Sequence, residues 1–166
     1  YFEFEMEKVI NLGIPHVGEH IFESINTSDL VKCLEVSETW KVLAKNVLIK
    51  RWKGKIFEAC KSGETKVVQL LLENFSCEEN RLNVKDENGW TVFMRACHYG
   101  NKDIVKLLLD HSDRNIDLNA TNNIGWTAFI TACQSGHKDI VKLLLDHSEI
   151  IELNARSNSG STAFLL

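Results

Sequence analysis

Apolar residues recur along the chain at the spacing of amphipathic helices. Phe93, Ala96 and Cys97 stand at i, i+3 and i+4, which places them on one face of a short helix. Soon afterwards, residues 104–109 contain five apolar side chains, an arc wider than a surface helix uses. A helix that is apolar on both flanks must be covered from both sides, and stacking between copies of one unit provides that cover. The pattern therefore predicts an all-α fold assembled from short paired helices.

This helical pattern belongs to an internal repeat with a period of about 36 residues. The eleven letters KDIVKLLLDHS occupy both 102–112 and 138–148, and Gly-Trp-Thr precedes each copy, at 89–91 and at 125–127. A weaker copy starts at Phe57, and a fourth begins at Gly160 and stops in mid-helix at Leu166. The predicted repeats cover about 54–85, 86–121 and 122–156, with a truncated unit at 157–166.

Each unit carries the same helix start and stop signals. A turn glycine is followed by Thr91, Thr127 or Thr162, whose hydroxyl can cap the first helix, and that helix ends at Gly100 or Gly136. The order Gly-x-Thr, Ala-Cys-x-x-Gly, Ile-Val-x-Leu-Leu-Leu and Leu-Asn-Ala resembles the ankyrin repeat over residues 56–166. The resemblance implies a solenoid of helix pairs that captures another protein.

The chain departs from the ankyrin pattern at the start of the first helix. The family's Thr-Pro-Leu-His becomes Thr-Val-Phe-Met from Thr91 and Thr-Ala-Phe-Ile from Thr127. Without the His, we expect apolar contacts of Met94 and Ile130 in place of a polar network between repeats.

In ankyrin-like stacks, the turn tips and the exposed side of the first helices form a concave surface. Trp90 and Trp126 lie there in equivalent turns, and large amphipathic rings suit recognition. Their recurrence favours the alternative that each indole packs on its neighbour's turn, because substrate-reading positions should vary between repeats. The candidate substrate-binding residues are Glu87, Asn88, Trp90, His98, Tyr99, Asn123, Ile124, Trp126, Gln134 and Ser135.

The N-terminal part of the chain does not repeat and predicts three short helices. One follows Pro15, the second follows a turn and cap cluster at 26–29, and the third runs from about Ser37 to Trp52. Three short helices in some forty residues cannot enclose a full core alone. The surplus of apolar side chains therefore predicts a surface that binds a partner.

Residues 12–50 resemble an F-box, whose motif elements appear in family order at Ile14-Pro15, Val17, Ile21-Phe22, Asp29-Leu30, Cys33, Val36-Ser37, Trp40 and Leu43-Ala44. The resemblance implies docking on a Skp-type adaptor and, through it, on a cullin–RING ubiquitin ligase. The alternative is that these side chains form an intramolecular core, and some can serve both roles. The implied adaptor-binding residues are Ile14, Pro15, Val17, Ile21, Phe22, Leu30, Val36, Trp40 and Leu43.

The two resemblances together predict a three-helix F-box-like segment at 12–50, followed by an ankyrin-repeat solenoid at 54–166. The predicted function is that of a non-catalytic substrate receptor of a Skp–cullin–F-box type ubiquitin ligase. A first alternative is an interaction scaffold without a ligase role, in which the N-terminal helices merely cap the stack.

A second alternative is a metal-dependent hydrolase. His16, Glu19 and His20 spell HxxEH, in which two His hold zinc and Glu activates water. The predicted helix there is only about two turns long, so a solvated or partner-facing His pair is favoured. The five cysteines lie far apart without a CxxC, which supports neither disulfides nor a zinc module and fits a reducing compartment. No metal or cofactor is expected.

Composition and charge narrow the class of partner. The chain has 166 residues, 44% hydrophobic and 25% charged, with a net charge of −4 that argues against nucleic acid as the main partner. Residues 41–55 carry six basic side chains and no acidic one. This pattern predicts a solvated helix face or, alternatively, a patch that binds an acidic partner. No apolar run approaches the length of about 18 residues that a membrane-spanning helix needs. The cysteine pattern, typical of a reducing compartment, leads us to expect a cytoplasmic or nuclear location. The missing initiator Met and the interrupted last repeat suggest a fragment at both ends.

Overall fold

The computed structural model describes residues 22–52, 55–74, 82–111 and 116–165. The chain divides into two compact units, with the boundary between residues 54 and 55. All regular secondary structure in the described ranges is helical, which confirms the predicted all-α class. The predictions that fall outside these ranges concern the first helix up to residue 21, the predicted adaptor-binding residues Ile14, Pro15, Val17 and Ile21, and the HxxEH residues His16, Glu19 and His20.

After a helical stretch at residues 22–24, the described part of the N-terminal unit contains two helices that pack against each other, α1 at Thr27–Cys33 and α2 at Glu38–Trp52. Asn26 caps α1, because its Oδ1 accepts a hydrogen bond of 2.9 Å from the backbone N of Asp29. The predicted turn and cap cluster and the predicted third helix are therefore confirmed.

Phe22 and Trp40 form the aromatic centre of the N-terminal unit. Their ring centroids lie 5.6 Å apart at an interplanar angle of 74°, an edge-to-face arrangement. Leu30 of α1 and Leu48 of α2 are buried with them. Trp40 Nε1 is also buried and donates no hydrogen bond within the described ranges.

Within its described residues, the second unit consists of three helix pairs in sequence order. The first helices pack side by side, and the second helices pack side by side behind them. The pairs are α3 (Ile56–Ser62) with α4 (Thr65–Asn74), α5 (Val92–His98) with α6 (Lys102–Asp110), and α7 (Ala128–Gln134) with α8 (Lys138–Leu145).

The local signals of the second and third repeats act as the sequence predicts, whereas the helix predicted after Thr162 is absent from residues 162–165, which form a turn. Thr91 Oγ1 accepts from Met94 N and Thr127 Oγ1 accepts from Ile130 N, both at 3.3 Å, so the two threonines cap α5 and α7. Gly100 follows α5 with φ +77°, in the left-handed region that favours glycine. The side chains of Met94 and Ile130 are buried, as expected where the family's His is absent.

The last repeat differs from the second in how far its apolar side chains are covered. Leu109 in α6 is 4% exposed, whereas Leu145, at the equivalent position in α8, is 42% exposed. Leu145 borders an open groove of about 430 Å³, together with Cys133 and Val141. The same letters of the repeat are therefore core in one copy and partly solvated in the next.

Candidate protein-binding surface

Each of the ten residues predicted to bind substrate reaches the surface of the repeats. This placement leaves all ten side chains available for contact with another molecule. Glu87, Asn88, Tyr99, Asn123, Ile124 and Gln134 are exposed, and Trp90, His98, Trp126 and Ser135 are half-buried.

One side-chain acceptor organises the turn before each of the helices α5 and α7. Asp86 Oδ1 accepts hydrogen bonds from the backbone N of Asn88 at 2.9 Å and of Trp90 at 3.0 Å. Asn122 Oδ1 makes the equivalent bonds in the third repeat, at 3.0 and 2.9 Å. These side-chain turns give the two tryptophans equivalent backbone positions.

Asparagine side chains bind the tips of successive turns to one another. Asn123 donates from its backbone N to Asn88 O at 3.2 Å and from Nδ2 to Glu87 O at 3.1 Å. Asn158 makes the same pair of bonds to the tip of the third repeat, both at 3.0 Å. A Cβ added at Gly89 would lie 2.8 Å from Asn123 N, so glycine permits this close approach. The turn tips therefore form one hydrogen-bonded row.

Trp90 lies in a cluster of side chains from its own repeat. Arg95 Cζ is 4.6 Å from the centroid of a Trp90 ring, and Arg95 Nε donates to Asp86 Oδ2 at 2.8 Å. The His98 ring centroid lies 5.1 Å from that of Trp90 and 5.0 Å from that of Tyr99. Sequence reasoning missed Arg95, although its charge, opposite to that of Asp86 before the same helix, was an available signal.

The equivalent face of the third repeat keeps the tryptophan but changes its neighbours. Thr131, which is buried, takes the place of Arg95, while Gln134 and Ser135 take the places of His98 and Tyr99. Residues 122–136 contain no charged side chain. The tryptophan is thus constant, and the residues beside it vary between repeats.

Polar side chains join the C-terminal ends of the first helices across repeats. His98 Nδ1 lies 3.1 Å from Ser135 Oγ, and His137 Nε2 donates to His98 O at 2.8 Å. One repeat earlier, Asn101 Nδ2 donates to Cys60 O. Sequence reasoning missed these links, because residues 101 and 137 differ in type and the bonds form only when the repeats stack.

Burial and neighbouring charges decide the protonation of this surface. Burial, followed by the charges of Arg95 and His137, lowers the pKa of His98, so its ring is neutral at neutral pH. Burial acts to raise the pKa of Asp86, but the hydrogen bonds from Arg95 and from two backbone N–H groups outweigh it and lower this pKa overall. Burial raises the pKa of Cys60 to about 12, as expected of a structural thiol.

The structure also bears on metal binding and membranes. Within the described ranges, no group of three or more His, Cys, Asp and Glu side chains is placed to hold a metal ion. None of the helices found there is long and apolar enough to cross a membrane.

The predicted adaptor-binding residues that the structure describes divide into two groups. Phe22, Leu30 and Trp40 are buried, so they pack inside the N-terminal unit. Val36, in the turn between α1 and α2, is 44% exposed, and Leu43 on α2 is half-buried. Among these five described residues, only Val36 and Leu43 have accessible apolar surface.

Comparison with known families bears on the second unit. The family described as ankyrin repeats (3 copies) matches residues 56–157, which is more than half of the chain. The match contains all three helix pairs and both tryptophan turns. Ankyrin repeats are protein-interaction modules and are generally non-catalytic. On this match, and on the stacked helix pairs that account for it, the chain belongs to the ankyrin-repeat family.

Proposed function

We propose that this chain is the substrate-recognition subunit of a Skp–cullin–F-box type ubiquitin ligase. Its N-terminal helices would dock on a Skp-type adaptor, and its ankyrin repeats would hold the protein to be modified. Docking on the adaptor is supported by two accessible apolar residues, Val36 and Leu43, which flank the buried Trp40 in the sequence. The residue order that resembles an F-box supports the same assignment.

The position of Leu43 on α2 supports docking at one edge of the helix pair. At about 100° per residue, Leu43 lies about 60° from Trp40 around α2, whereas Val42 lies about 160° away. Leu43 is therefore at the margin of the buried face, next to the core of Phe22 and Trp40. Val42, which is 55% exposed, lies on the far side of α2. A partner that extends the core of this unit would cover Leu43 and leave Val42 in solvent.

The repeats supply the second half of the proposal. Their turn tips are joined by hydrogen bonds, so the surface around Trp90 and Trp126 is organised before a partner arrives. The chain would contribute no catalytic group of its own. Holding the adaptor and the substrate on one polypeptide raises the effective concentration of the substrate at the ligase, and the acceleration comes from that proximity.

Binding of a purified Skp-type adaptor to the full chain tests the proposal. Val36→Lys should weaken adaptor binding at least about tenfold, because it places an ammonium group where an apolar contact is expected. Val42→Lys is the matched control and should bind the adaptor within about twofold of the unchanged chain. Circular dichroism of both variants checks that the helices remain folded.

Two outcomes would contradict the ligase assignment. One is a full chain that does not bind the adaptor at micromolar concentration. The other is equal adaptor binding by Val36→Lys and Val42→Lys. Either result would leave a protein-interaction scaffold built on the ankyrin repeats.

A further inference from the structure

The open groove of about 430 Å³ on the third repeat is an accessible apolar surface apart from the two tryptophans. Two of its six lining residues are lysines, none of the six is acidic, and none belongs to the predicted substrate-binding set. The lining residues are Cys133, Gly136, Lys138, Val141, Lys142 and Leu145. The groove therefore combines an apolar floor with positive charge.

The second repeat has the same six residue types at the equivalent positions, one repeat period earlier. They are Cys97, Gly100, Lys102, Val105, Lys106 and Leu109. There the third repeat fills the groove, because α8 packs on α6, and Val105 and Leu109 are buried. A Cβ added at Gly100 would lie 2.7 Å from Cε1 of His137, whereas one added at Gly136 would have no described atom within 4 Å. The filled copy therefore shows which kind of occupant the open copy accepts.

The second helix that the filled groove receives has a buried apolar face and an acidic residue in its first turn. On α8, Ile140 and Leu144 are buried. Asp139, in the first turn of α8, has its Oδ2 3.9 Å from Nζ of Lys102. In the open groove, Lys138 takes the position of Lys102. The open groove therefore favours a helix that carries an acidic residue just before its apolar face.

A second copy of this chain is a poor occupant of the groove. The face of α8 that contains Ile140 and Leu144 is already buried within its own chain, so it is not available to another copy. If the open faces of two copies met, Lys138 and Lys142 of one copy would face the same lysines of the other. A helix from a different protein avoids both obstacles.

We propose that the groove of the third repeat binds an amphipathic helix of another protein, with an acidic residue in the first turn of that helix. The acidic side chain pairs with Lys138, and the apolar residues that follow it pack on Val141 and Leu145. This second protein-binding site is separate from the adaptor and substrate surfaces, and it does not depend on the ligase assignment.

The test measures binding of labelled, blocked peptides to the full chain by fluorescence anisotropy. The first peptide has the sequence of residues 137–148, with Glu at its second position so that a lactam bridge to the lysine at its sixth position holds it helical. It should bind with a dissociation constant below about 1 mM. The second peptide differs only in carrying Lys at its third position, which corresponds to Asp139. It should bind at least about threefold more weakly, because it meets Lys138 with a like charge.

Variants of the chain locate the binding site. Leu145→Lys should weaken binding of the first peptide at least about tenfold, because it places an ammonium group in the apolar groove. Ile124→Lys is the matched control and should bind within about twofold of the unchanged chain, since Ile124 is 51% exposed but does not line the groove. Lys138→Glu should reverse the preference between the two peptides, whereas Lys106→Glu, at an exposed lysine of the filled copy, should not. Circular dichroism checks that each variant remains folded.

Several results would overturn the proposal. They are absence of binding at millimolar concentrations of the first peptide, equal affinity for the two peptides, and equal losses in Leu145→Lys and Ile124→Lys. Sedimentation that shows a dimer of the unchanged chain, which Leu145→Lys dissociates, would mean that a second copy covers the groove instead. If Leu145→Lys does not fold, Lys138→Glu decides the outcome, because it changes only an exposed side chain.

Discussion

Replacing Leu109 or Leu145 by Ala separates the effect of burial from that of local sequence. Both residues are the eighth letter of the same eleven-residue segment, and both lie in the last turn of a second helix. Helix propensity and neighbours in sequence are therefore matched. Leu109 is 4% exposed and Leu145 is 42% exposed. A difference in the free energy of unfolding between the variants must then come from tertiary packing.

The expected magnitudes follow from this burial. Leu→Ala removes three carbons, worth about 2.4 kcal/mol at about 0.8 kcal/mol per buried carbon. At Leu109 the cavity left behind should raise the loss of unfolding free energy to about 3–4 kcal/mol. Leu145 is 42% exposed, so a little more than half of its side chain is buried and Leu145→Ala should lose about 1.4 kcal/mol of the transfer free energy. No closed cavity forms there, because Leu145 borders the open groove. The two variants should differ by about 2 kcal/mol.

Urea denaturation followed by circular dichroism measures this difference. For a chain of this size, about 2 kcal/mol also corresponds to a gap of about 4–8 °C between the melting temperatures. The slope of the urea transition should match across the unchanged chain and both variants, so that midpoints can be compared. Equal losses in the two variants, or a larger loss in Leu145→Ala, would refute the reasoning. Such a result would mean that the outer face of the third repeat is covered in solution.

Three further predictions address the turns, the ion pair and the thiols. In urea titrations, Gly89→Ala should lower the free energy of unfolding more than Gly136→Ala. Both glycines have positive φ, but of the two only Gly89 has atoms of the next repeat within 4 Å of an added Cβ. A larger loss in Gly136→Ala would contradict this prediction. The pKa of Asp86 is lowered from 3.8 in the folded chain, so its carboxylate stabilises the fold at pH values above 3.8, and this stabilisation is lost as the pH falls through the lowered pKa. The difference in the free energy of unfolding between the unchanged chain and Asp86→Asn should therefore shrink as the pH falls below 3.8. A difference that stays constant with pH would contradict this prediction. Peptide mass mapping should show that the half-buried Cys133 reacts with a thiol reagent at least about tenfold faster than Cys60, because Cys60 is buried and its pKa is raised. Equal reaction rates of the two thiols would contradict this burial.

The fold of the repeats was predictable to the level of single capping residues. Threonine at 91 and 127 and glycine at 100 and 136 act over a few neighbouring residues, so their effect is encoded locally. The N-cap at Asn26 is another local signal that the structure confirms. Helix periodicity also located α2 to within one residue of its start.

The candidate surface was predictable in outline but not in its contacts. That each tryptophan packs on its neighbour's turn stays a prediction, and the sequence did not foresee the ring contacts of Trp90 with Arg95 and His98 of its own repeat. Arg95 was missed although the opposite charge of Asp86 before the same helix was an available signal, because spacing in the sequence does not say which nearby charges pair. In the N-terminal unit, sequence spacing could not separate the buried Trp40 from the exposed Val36, since both fit the same motif.

The amino-acid sequence by itself determined the repeat period, the capped helix pairs and the apolar faces that must be covered, because these depend on interactions between residues close together in the chain. Tertiary structure alone decided how far each equivalent residue is covered. Leu109 and Leu145 have the same neighbours in sequence, but one has a following helix pair packed beside it and the other borders an open groove. Burial depends on contacts between repeats, and a periodic sequence contains no local signal for which copies have a neighbour on both sides.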